Sequence, residues 1–246
     1  MKVTFSSTQS DKRDAVVVTS LSPAKLRNAA VALDSKTGGA LTRAVKATGF
    51  KGNAGQNISI SGPANEDAKH VVVAGLGKSA ELDEKKLQAS GKSLTAIFNQ
   101  NGVKKVDVEL DSVRGNKAAD MAAEMALGAT LESYSFDIYK TGAKKKDERV
   151  LNFVVDDPAA AEKAFEKLSA TAKGVFLTKD LSNEPPNVLY PESFADRVVD
   201  EFKGSNVTVR VLEEADMERV GMGSLLGGGQ VSLCPSRLVV ISSIVV

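Results

Sequence analysis

The sequence predicts an α/β fold built on a mostly parallel mixed sheet. Continuous aliphatic runs at positions 15–19 and 70–74 are typical of strands buried on both faces of a sheet. Segments with apolar residues at helical spacing, such as 83–99, alternate with these runs along the chain. Alternation of strands and helices favours parallel strands joined by crossover helices.

The elements of residues 1–156 follow one another as expected for one domain. A glycine-rich stretch at 49–56 interrupts the pattern, because glycine favours turns. A helix with Leu41 and Val45 on its apolar face is expected before this stretch. The other predicted elements are strands at 3–5, 15–19, 58–60, 70–74, 106–110 and 150–155, and helices at 83–99 and 117–133.

A long helix is predicted to join this domain to a second region. Asp157 is a suitable N-cap residue, and Pro158 fits the first turn because its missing N–H loses no intrahelical bond. The helix ends near Leu181, before the tandem prolines Pro185 and Pro186. The predicted organisation is a domain at 1–156, a connecting helix at 157–182 and a second region at 183–246. That region is predicted to contain helices at 191–202 and 214–220, strands at 207–212 and 238–246, and a flexible glycine-dense loop at 221–229.

The charge balance disfavours binding to nucleic acid or to anionic lipid. Lys and Arg number 32 against 31 Asp and Glu, which leaves a net charge of +1 over 246 residues. A nearly neutral chain has no overall positive field to attract phosphate groups. The basic run at 144–146 is a local exception, which we interpret as part of a solvated loop. Nucleic acid is therefore not an expected partner.

The single cysteine and the single histidine restrict the possible chemistry. One cysteine, Cys234, excludes an internal disulfide, and with only His70 available a Cys/His zinc site is disfavoured. His70 begins a predicted buried strand and is interpreted as a structural residue. The first residues contain no signal-peptide core, and no apolar run is long enough to span a bilayer. These observations predict a cytoplasmic protein without a membrane partner.

Residues 75–79, with the sequence GLGKS, are similar to the end of a phosphate-binding P-loop. The P-loop pattern requires a glycine where this chain has Val72, so the phosphate cradle is excluded. A dinucleotide-binding fingerprint would place its third glycine at Ala80, and no acidic residue is evident on a following strand. We predict a tight strand-to-helix connection instead.

The carboxylates give no pattern of a catalytic or metal site. Glu213, Glu214, Asp216 and Glu218 cluster on one short predicted helix, which is typical of a solvated face. The chain has no His-x-x-x-His or Asp-x-Asp spacing suited to metal ligands. We therefore assign no catalytic, cofactor-binding or metal-binding residue.

The second region resembles a known enzyme family. Residues 178–187 read TKDLSNEPPN, residues 191–195 read PESFA and residues 221–227 read GMGSLLG. These segments, in this order, resemble the start of the catalytic domain of leucyl aminopeptidases, the cytosol aminopeptidases of peptidase family M17. Residues 72–78 are similar to part of the family's N-terminal domain. The chain thus resembles that N-terminal domain followed by the start of the catalytic domain.

The resemblance implies a fold, an activity and an assembly. Family members release N-terminal amino acids from peptides with two divalent metals, usually Zn²⁺ or Mn²⁺, held by carboxylates and a lysine. The metals act as Lewis acids and lower the pKa of a bridging water. The N-terminal domain is a macro-like α/β unit, which an incomplete α/β catalytic domain would follow here. The family proteins are cytosolic homo-hexamers.

The chain departs from the family pattern near its end. In the family, the strand matching 237–241 leads to the metal ligands and a catalytic arginine, whereas this sequence stops at Val246. Val231 stands where the family usually has glycine, and we hypothesise a truncated or frameshifted gene; a fragment of a longer, active enzyme is the alternative. We therefore expect that no metal binds this chain and that it has no peptidase activity alone. Strand 238–246 would lack cover, so a poorly folded C-terminal segment is also expected.

A second hypothesis is a non-catalytic role for the macro-like domain. It would act as a binding or assembly module for nucleic acid, for a nucleotide or for a hexamer partner. The charge balance gives little support to nucleic acid. A salt-dependent shift on duplex DNA would favour that partner, because phosphate contacts weaken steeply as the salt concentration rises.

Overall fold

In the computed structural model the described residues are 1–142 and 148–243. The chain divides into two units, Met1–Phe176 and Leu177–Val246. The division lies within one long helix, Pro158–Asn183. The basic run at 144–146 lies outside the described residues, as do the last three positions of the predicted strand 238–246.

A seven-stranded sheet forms the centre of the first unit. Its strands are β1 (Lys2–Ser6), β2 (Ala15–Leu21), β3 (Lys25–Leu26), β4 (Asn57–Ser61), β5 (His70–Gly75), β6 (Lys105–Glu109) and β7 (Val150–Val154). The order across the sheet is β1-β7-β6-β2-β5-β4, and β3 pairs with β2. Pairing is parallel except for β4 against β5 and β3 against β2. The predicted α/β fold with a mostly parallel mixed sheet is confirmed.

The helices of this unit follow the predicted order with two differences. They are α1 (Asn28–Lys36), α2 (Ala40–Thr48), α3 (Glu84–Leu94), α4 (Ala118–Glu132) and α5 (Pro158–Asn183). Helix α1 was not predicted, because its N-cap residue Arg27 offers no side-chain cap that would mark its start. The predicted helix 83–99 is α-helical only to Leu94 and continues as a 3₁₀ segment, Thr95–Asn99. Helix α5 begins as predicted, since Ala160 N donates to Asp157 Oδ1 at 3.0 Å.

The two faces of the sheet are packed differently. One face is apolar across β1, β7, β6, β2 and most of β5 and is covered by α3, α4 and the first part of α5, with fully buried residues such as Val17, Leu94 and Phe153. On the other face, α1 and α2 cover only the half formed by β2, β5 and β4, where Val16 and Leu41 are fully buried. The remaining half of that face is polar.

Helices α3 and α4 cross in direct backbone contact. A Cβ atom added at Gly91 would lie 1.9 Å from Met125 O, and one added at Gly128 would lie 2.0 Å from Gln88 O. Contacts this short leave no space for any side chain at either position. The two glycines therefore set how closely the helices that cover the apolar face approach each other.

Residues 75–79 form the close-packed connection that the sequence predicts. The N–H groups of Gly75, Leu76 and Gly77 donate to the backbone carbonyls of Gln56, Ser20 and Gly52 at 2.8, 2.9 and 2.8 Å. A Cβ atom at Gly75 would lie 2.1 Å from Asn53 O. The backbone N–H groups of residues 75–77 are therefore engaged within the protein.

In its described residues, 177–243, the second unit contains the end of α5 followed by two strands and three short helices. They are α6 (Pro191–Glu201), β8 (Val207–Leu212), α7 (Glu214–Arg219), α8 (Gly223–Gly229) and β9 (Leu238–Ser243). Its buried residues include Ala195, Val198, Leu212 and Met217. Residues 221–229, predicted as a flexible loop, instead contain α8. This prediction was wrong because glycine adopts helical angles without strain, and Leu226 N donates to Met222 O at 3.2 Å.

Candidate functional site

The polar half of the first unit's sheet is a hydrogen-bonded layer that we call the polar half-face. It consists of Thr4, Ser6, Asp107 and Asn152, which lie on one side of β1, β6 and β7. Asn152 Nδ2 donates to Asp107 Oδ1 at 3.0 Å and to Ser6 Oγ at 2.9 Å. Thr4 Oγ1 donates to Asn152 Oδ1 at 3.0 Å. Asp107 and Asn152 are 1% and 5% exposed, so this layer is part of the interior.

The segment between β1 and β2 provides further donors to this layer. Ser10 donates twice to Asp107, from N to Oδ2 at 2.6 Å and from Oγ to Oδ1 at 2.8 Å. A buried carboxylate needs several donors, because burial removes its hydration. Ser10 and Asn152 therefore hold Asp107 in place, and both carboxylate oxygens of Asp107 accept hydrogen bonds from protein donors.

A crevice of about 390 Å³ opens beside the polar half-face at the carboxyl ends of β1, β6 and β7. We call it the carboxyl-end crevice. After β2 the chain passes through α1 and α2 toward β4, at one edge of the sheet. After β6 it passes through α4 to β7, toward the opposite edge. The strand order therefore reverses between β2 and β6. Crevices of this kind are the usual ligand sites of open α/β sheets. The lining residues are Ser7, Asn28, Ala29, Glu109, Leu110, Asp111, Ser112, Ala118, Val154, Val155 and Asp156.

Glu109 is a residue of the crevice whose pKa is clearly shifted. Burial raises the pKa of Glu109 above its ordinary value, and the nearby Asp111 and Asp107 act in the same direction. The hydrogen bond from Gln9 Nε2 and the charge of Arg13 oppose this rise. With Asp111 and Asp156 also in the lining, the crevice is acidic and disfavours phosphate groups.

A second, larger groove of about 770 Å³ lies between α3, α4 and α5. Its floor is apolar, with Leu87, Met121 and Leu168, and its rim is charged. The groove lies on helices rather than at strand ends. We therefore take the carboxyl-end crevice as the candidate site, because polar groups from several strands converge there.

The residues singled out from the sequence do not lie in the crevice. His70 begins β5, and its Nδ1 lies 3.0 Å from Ser61 Oγ. Cys234 is a half-buried free cysteine in the second unit. No crevice residue was predicted, since Ser7, Glu109 and Asp156 are far apart in the chain and meet only through the parallel register.

The described part of the chain shows no grouped metal ligands. Within residues 1–142 and 148–243, no three His, Cys, Asp or Glu side chains are close enough together to hold a metal ion. The crevice carboxylates are included in that statement. A search of the same residues finds no helix that combines the length and apolarity needed to cross a membrane.

The segment at 178–187 has a clear structural role in the second unit. Glu184, whose side chain is 2% exposed, forms an ion pair with Arg197 of α6, with 2.8 Å between Glu184 Oε1 and Arg197 Nη2. Tyr190 N donates to Ser193 Oγ at 3.0 Å, which helps to begin α6. These contacts connect the segments before and after the tandem prolines to α6, the helix that packs on the antiparallel pair β8–β9.

Comparison with known proteins finds two matching family models. The model of the cytosol aminopeptidase family, N-terminal domain, matches residues 15–143. The model of the cytosol aminopeptidase family, catalytic domain, matches residues 176–243. The two matches follow one another along the chain.

Individual relatives agree with these models. A probable cytosol aminopeptidase of Bradyrhizobium sp. is 41% identical over 217 residues, which is 85% of this chain and 43% of that protein. One of Nitrobacter winogradskyi is 36% identical over 245 residues, 98% of this chain and 48% of that protein. The chain thus spans about half the length of the curated relatives it matches.

Solved structures share the fold. A mutant of tomato leucine aminopeptidase matches with a TM-score of 0.82 and 19% identity, over 97% of this chain and 50% of that one. The bottromycin maturation enzyme BotP in complex with Mn matches with a TM-score of 0.73 and 22% identity, over 94% of this chain and 45% of that one. At these identities the likeness concerns the fold.

Proposed function

Because the chain belongs to the cytosol aminopeptidase family, we propose that it supplies the N-terminal domain and the first part of the catalytic domain of a metal-dependent aminopeptidase. The reaction would be release of N-terminal amino acids from peptides in the cytosol. One observation carries the proposal: the family's two models match this chain in tandem, at 15–143 and 176–243. Relatives named probable cytosol aminopeptidases support it.

The described residues do not fit the pair of divalent metals that such an enzyme uses. Two metals need a dense set of carboxylate and other donors, and no group of even three suitable side chains occurs within 1–142 and 148–243. Asp107, the buried carboxylate of the polar half-face, already accepts hydrogen bonds from Ser10 and Asn152. We propose that the metal ligands belong to the half of the relatives that this chain does not match.

The 246-residue chain alone is accordingly expected to be inactive. The test is hydrolysis of leucine amide by the purified chain with excess Mn²⁺ or Zn²⁺, with a full-length relative as the positive control. We expect no metal-dependent hydrolysis, and calorimetry should detect no tight uptake of two equivalents of metal. Turnover that increases with metal and co-purifies with the chain would overturn the proposal.

The carboxyl-end crevice favours a second candidate function, a binding module in the first unit. Its volume of about 390 Å³ suits a small molecule, and its polar groups converge from three strands. Its acidic lining favours a ligand that presents hydroxyl or amino groups, such as a nucleoside, over a phosphate-bearing nucleotide. Thermal-shift measurements with adenosine and with ADP test this: stabilisation by neither compound removes the candidate.

A further inference from the structure

The turn between the 3₁₀ segment Thr95–Asn99 and β6 contains the one Asn-Gly pair of the sequence, Asn101–Gly102. Val103 N donates to Gln100 O at 3.3 Å, so Asn101 and Gly102 are the two central residues of a β-turn. Both residues are exposed, whereas Val103, which follows them, is buried. The pair therefore lies at the tip of a turn whose end is fixed in the core.

The side chain of Asn101 and the backbone nitrogen of Gly102 are free to meet. In the part of the chain that the structure describes, neither the Asn101 amide group nor the Gly102 N–H makes a hydrogen bond to another protein group. Gly102 has a φ of +74°, and it carries no Cβ atom that would shield its nitrogen. A backbone nitrogen this open is a possible nucleophile toward the neighbouring side-chain amide.

A lysine ammonium group lies against the same turn. Lys69 Nζ donates to Gly102 O at 3.1 Å, and a Cβ atom added at Gly102 would lie 3.3 Å from Lys69 Nζ. A positive charge this close favours loss of the Gly102 amide proton, because it stabilises the negative charge left on nitrogen. Asp14, whose Oδ1 lies 2.8 Å from Lys69 Nζ, opposes this effect. Its Oδ2 accepts from the N–H groups of Lys104 and Lys105, which offsets part of its charge.

We propose that Asn101 is a site of spontaneous deamidation that the ammonium group of Lys69 promotes. The deprotonated Gly102 nitrogen attacks Asn101 Cγ, and the new N–C bond closes a succinimide ring. The side-chain nitrogen takes up a proton and leaves as ammonia. Water then opens the ring at either carbonyl carbon, which leaves aspartate or isoaspartate at position 101. Water is the only co-reactant, so the modification is independent of any peptidase activity.

The modification changes the turn in two ways. It adds a carboxylate, and the isoaspartyl form also adds one carbon to the backbone between positions 101 and 102. The longer backbone displaces the Gly102 carbonyl from Lys69. Because Val103 is buried directly after the turn, the displacement strains the start of β6. The first unit therefore loses stability as the modification accumulates.

The experiment incubates the purified 246-residue chain at mildly alkaline pH and follows conversion by mass spectrometry of the peptide that contains position 101. Asn187 and Asn206 are internal controls, since both are exposed and each precedes a valine. We expect Asn101 to convert at least about tenfold faster than either control, because a β-branched side chain hinders attack by its own backbone nitrogen. Equal rates at the three positions would overturn the proposal.

Matched lysine variants test the role of the ammonium group. Lys69→Met should slow conversion of Asn101 about threefold, as expected when one charge is removed from nearby in water-like surroundings. Lys46→Met, at an exposed position of α2, is the control and should leave the rate unchanged. If circular dichroism shows that Lys69→Met is unfolded, Lys69→Gln replaces it with the same expectation. Conversion as fast in the Lys69 variant as in the Lys46 variant contradicts promotion by Lys69.

The effect on stability has its own control. Asn101→Gln removes the reactive side chain, because the longer side chain closes the corresponding ring far more slowly. During incubation the urea midpoint of the unsubstituted chain should fall, while that of Asn101→Gln should stay constant. Equal decline of the two midpoints would show that the modification does not cause the loss of stability.

Discussion

Strands β2 and β9 have similar sequences and very different surroundings. Both contain a run of aliphatic residues, yet Val16, Val17 and Val18 of β2 are completely buried, whereas Val240 and Ile241 of β9 are 41% and 52% exposed. Strand β2 has β5 and β6 on its two edges and helices on both faces. An aliphatic run thus predicts a strand, but its burial depends on neighbours that the run itself does not specify.

The energetic contrast follows from the buried area. Burying a valine side chain completely contributes roughly 1.5–3 kcal/mol, and a half-exposed one contributes correspondingly less. The first unit gains this contribution at many positions of its two clusters. The second unit has few fully buried residues of comparable size, Met217 among them. We therefore expect the second unit to exchange its amides faster and to be cleaved first by proteases.

The largest expected effect is at the glycine crossing of the first unit. Gly91→Ala would place a Cβ atom 1.9 Å from Met125 O, so α3 and α4 must separate. We expect a loss of about 3 kcal/mol in the free energy of unfolding of this unit, the upper end of the usual range for overpacking, measured by urea denaturation. Gly174→Ala in α5 is the control, since its added Cβ would meet nothing within 4 Å. It should be neutral or stabilise by about 0.5–1 kcal/mol. Equal effects of the two substitutions would contradict the role given to the crossing.

A paired truncation measures the contrast between β2 and β9 directly. Val17→Ala removes two methyl groups from a completely buried position and should cost about 2 kcal/mol. Val240→Ala changes an exposed position and should cost less than about 0.5 kcal/mol. Denaturant titrations of both variants give the comparison. If Val240→Ala is as costly as Val17→Ala, β9 is covered in solution, and a self-associated state measured by light scattering would be the first explanation to examine.

The smallest expected effect is a pH-dependent one in the carboxyl-end crevice. Burial raises the pKa of Glu109 in the folded protein above its ordinary value of 4.5, so the folded state holds this proton more tightly than the unfolded state. Stability should then fall as the pH rises from 4.5 through the folded pKa. Glu109→Gln removes this cost and should stabilise the first unit at pH 7 by on the order of 0.5 kcal/mol. The gain in stability should vanish below pH 4.5. Thermal melts between pH 4 and pH 7 test this, and a stability of the unsubstituted chain that rises with pH relative to Glu109→Gln would contradict the raised pKa of Glu109.

The sequence was most informative where local patterns determine the element. The aliphatic runs identified β2 and β5, and Asp157 with Pro158 identified the start of α5. It was less informative for α1, whose start has no side-chain cap, and for α8, where the glycines adopt helical angles. In both places the local preference is weak, so packing against the rest of the unit decides the conformation.

The candidate site was not predictable from local patterns. Ser7, Glu109 and Asp156 of the carboxyl-end crevice come together only because β1, β7 and β6 pair in parallel register. Single polar residues within strands carry no local indication of which strand lies next to them. The family resemblance was a different kind of signal: it depended on the run at 178–187, where Glu184 is fixed by an ion pair to α6.

The close packing of residues 75–79 limits how this fold could be redesigned. Introducing the missing glycine at position 72 would not create a nucleotide-binding loop, because Val72 lies within β5 and the N–H groups of residues 75–77 already donate to Gln56, Ser20 and Gly52. Asn53 also occupies the space above Gly75 that an anion would need. A designer who wanted phosphate recognition here would first have to remove or rebuild residues 51–56, and with them the support for the carboxyl end of β5.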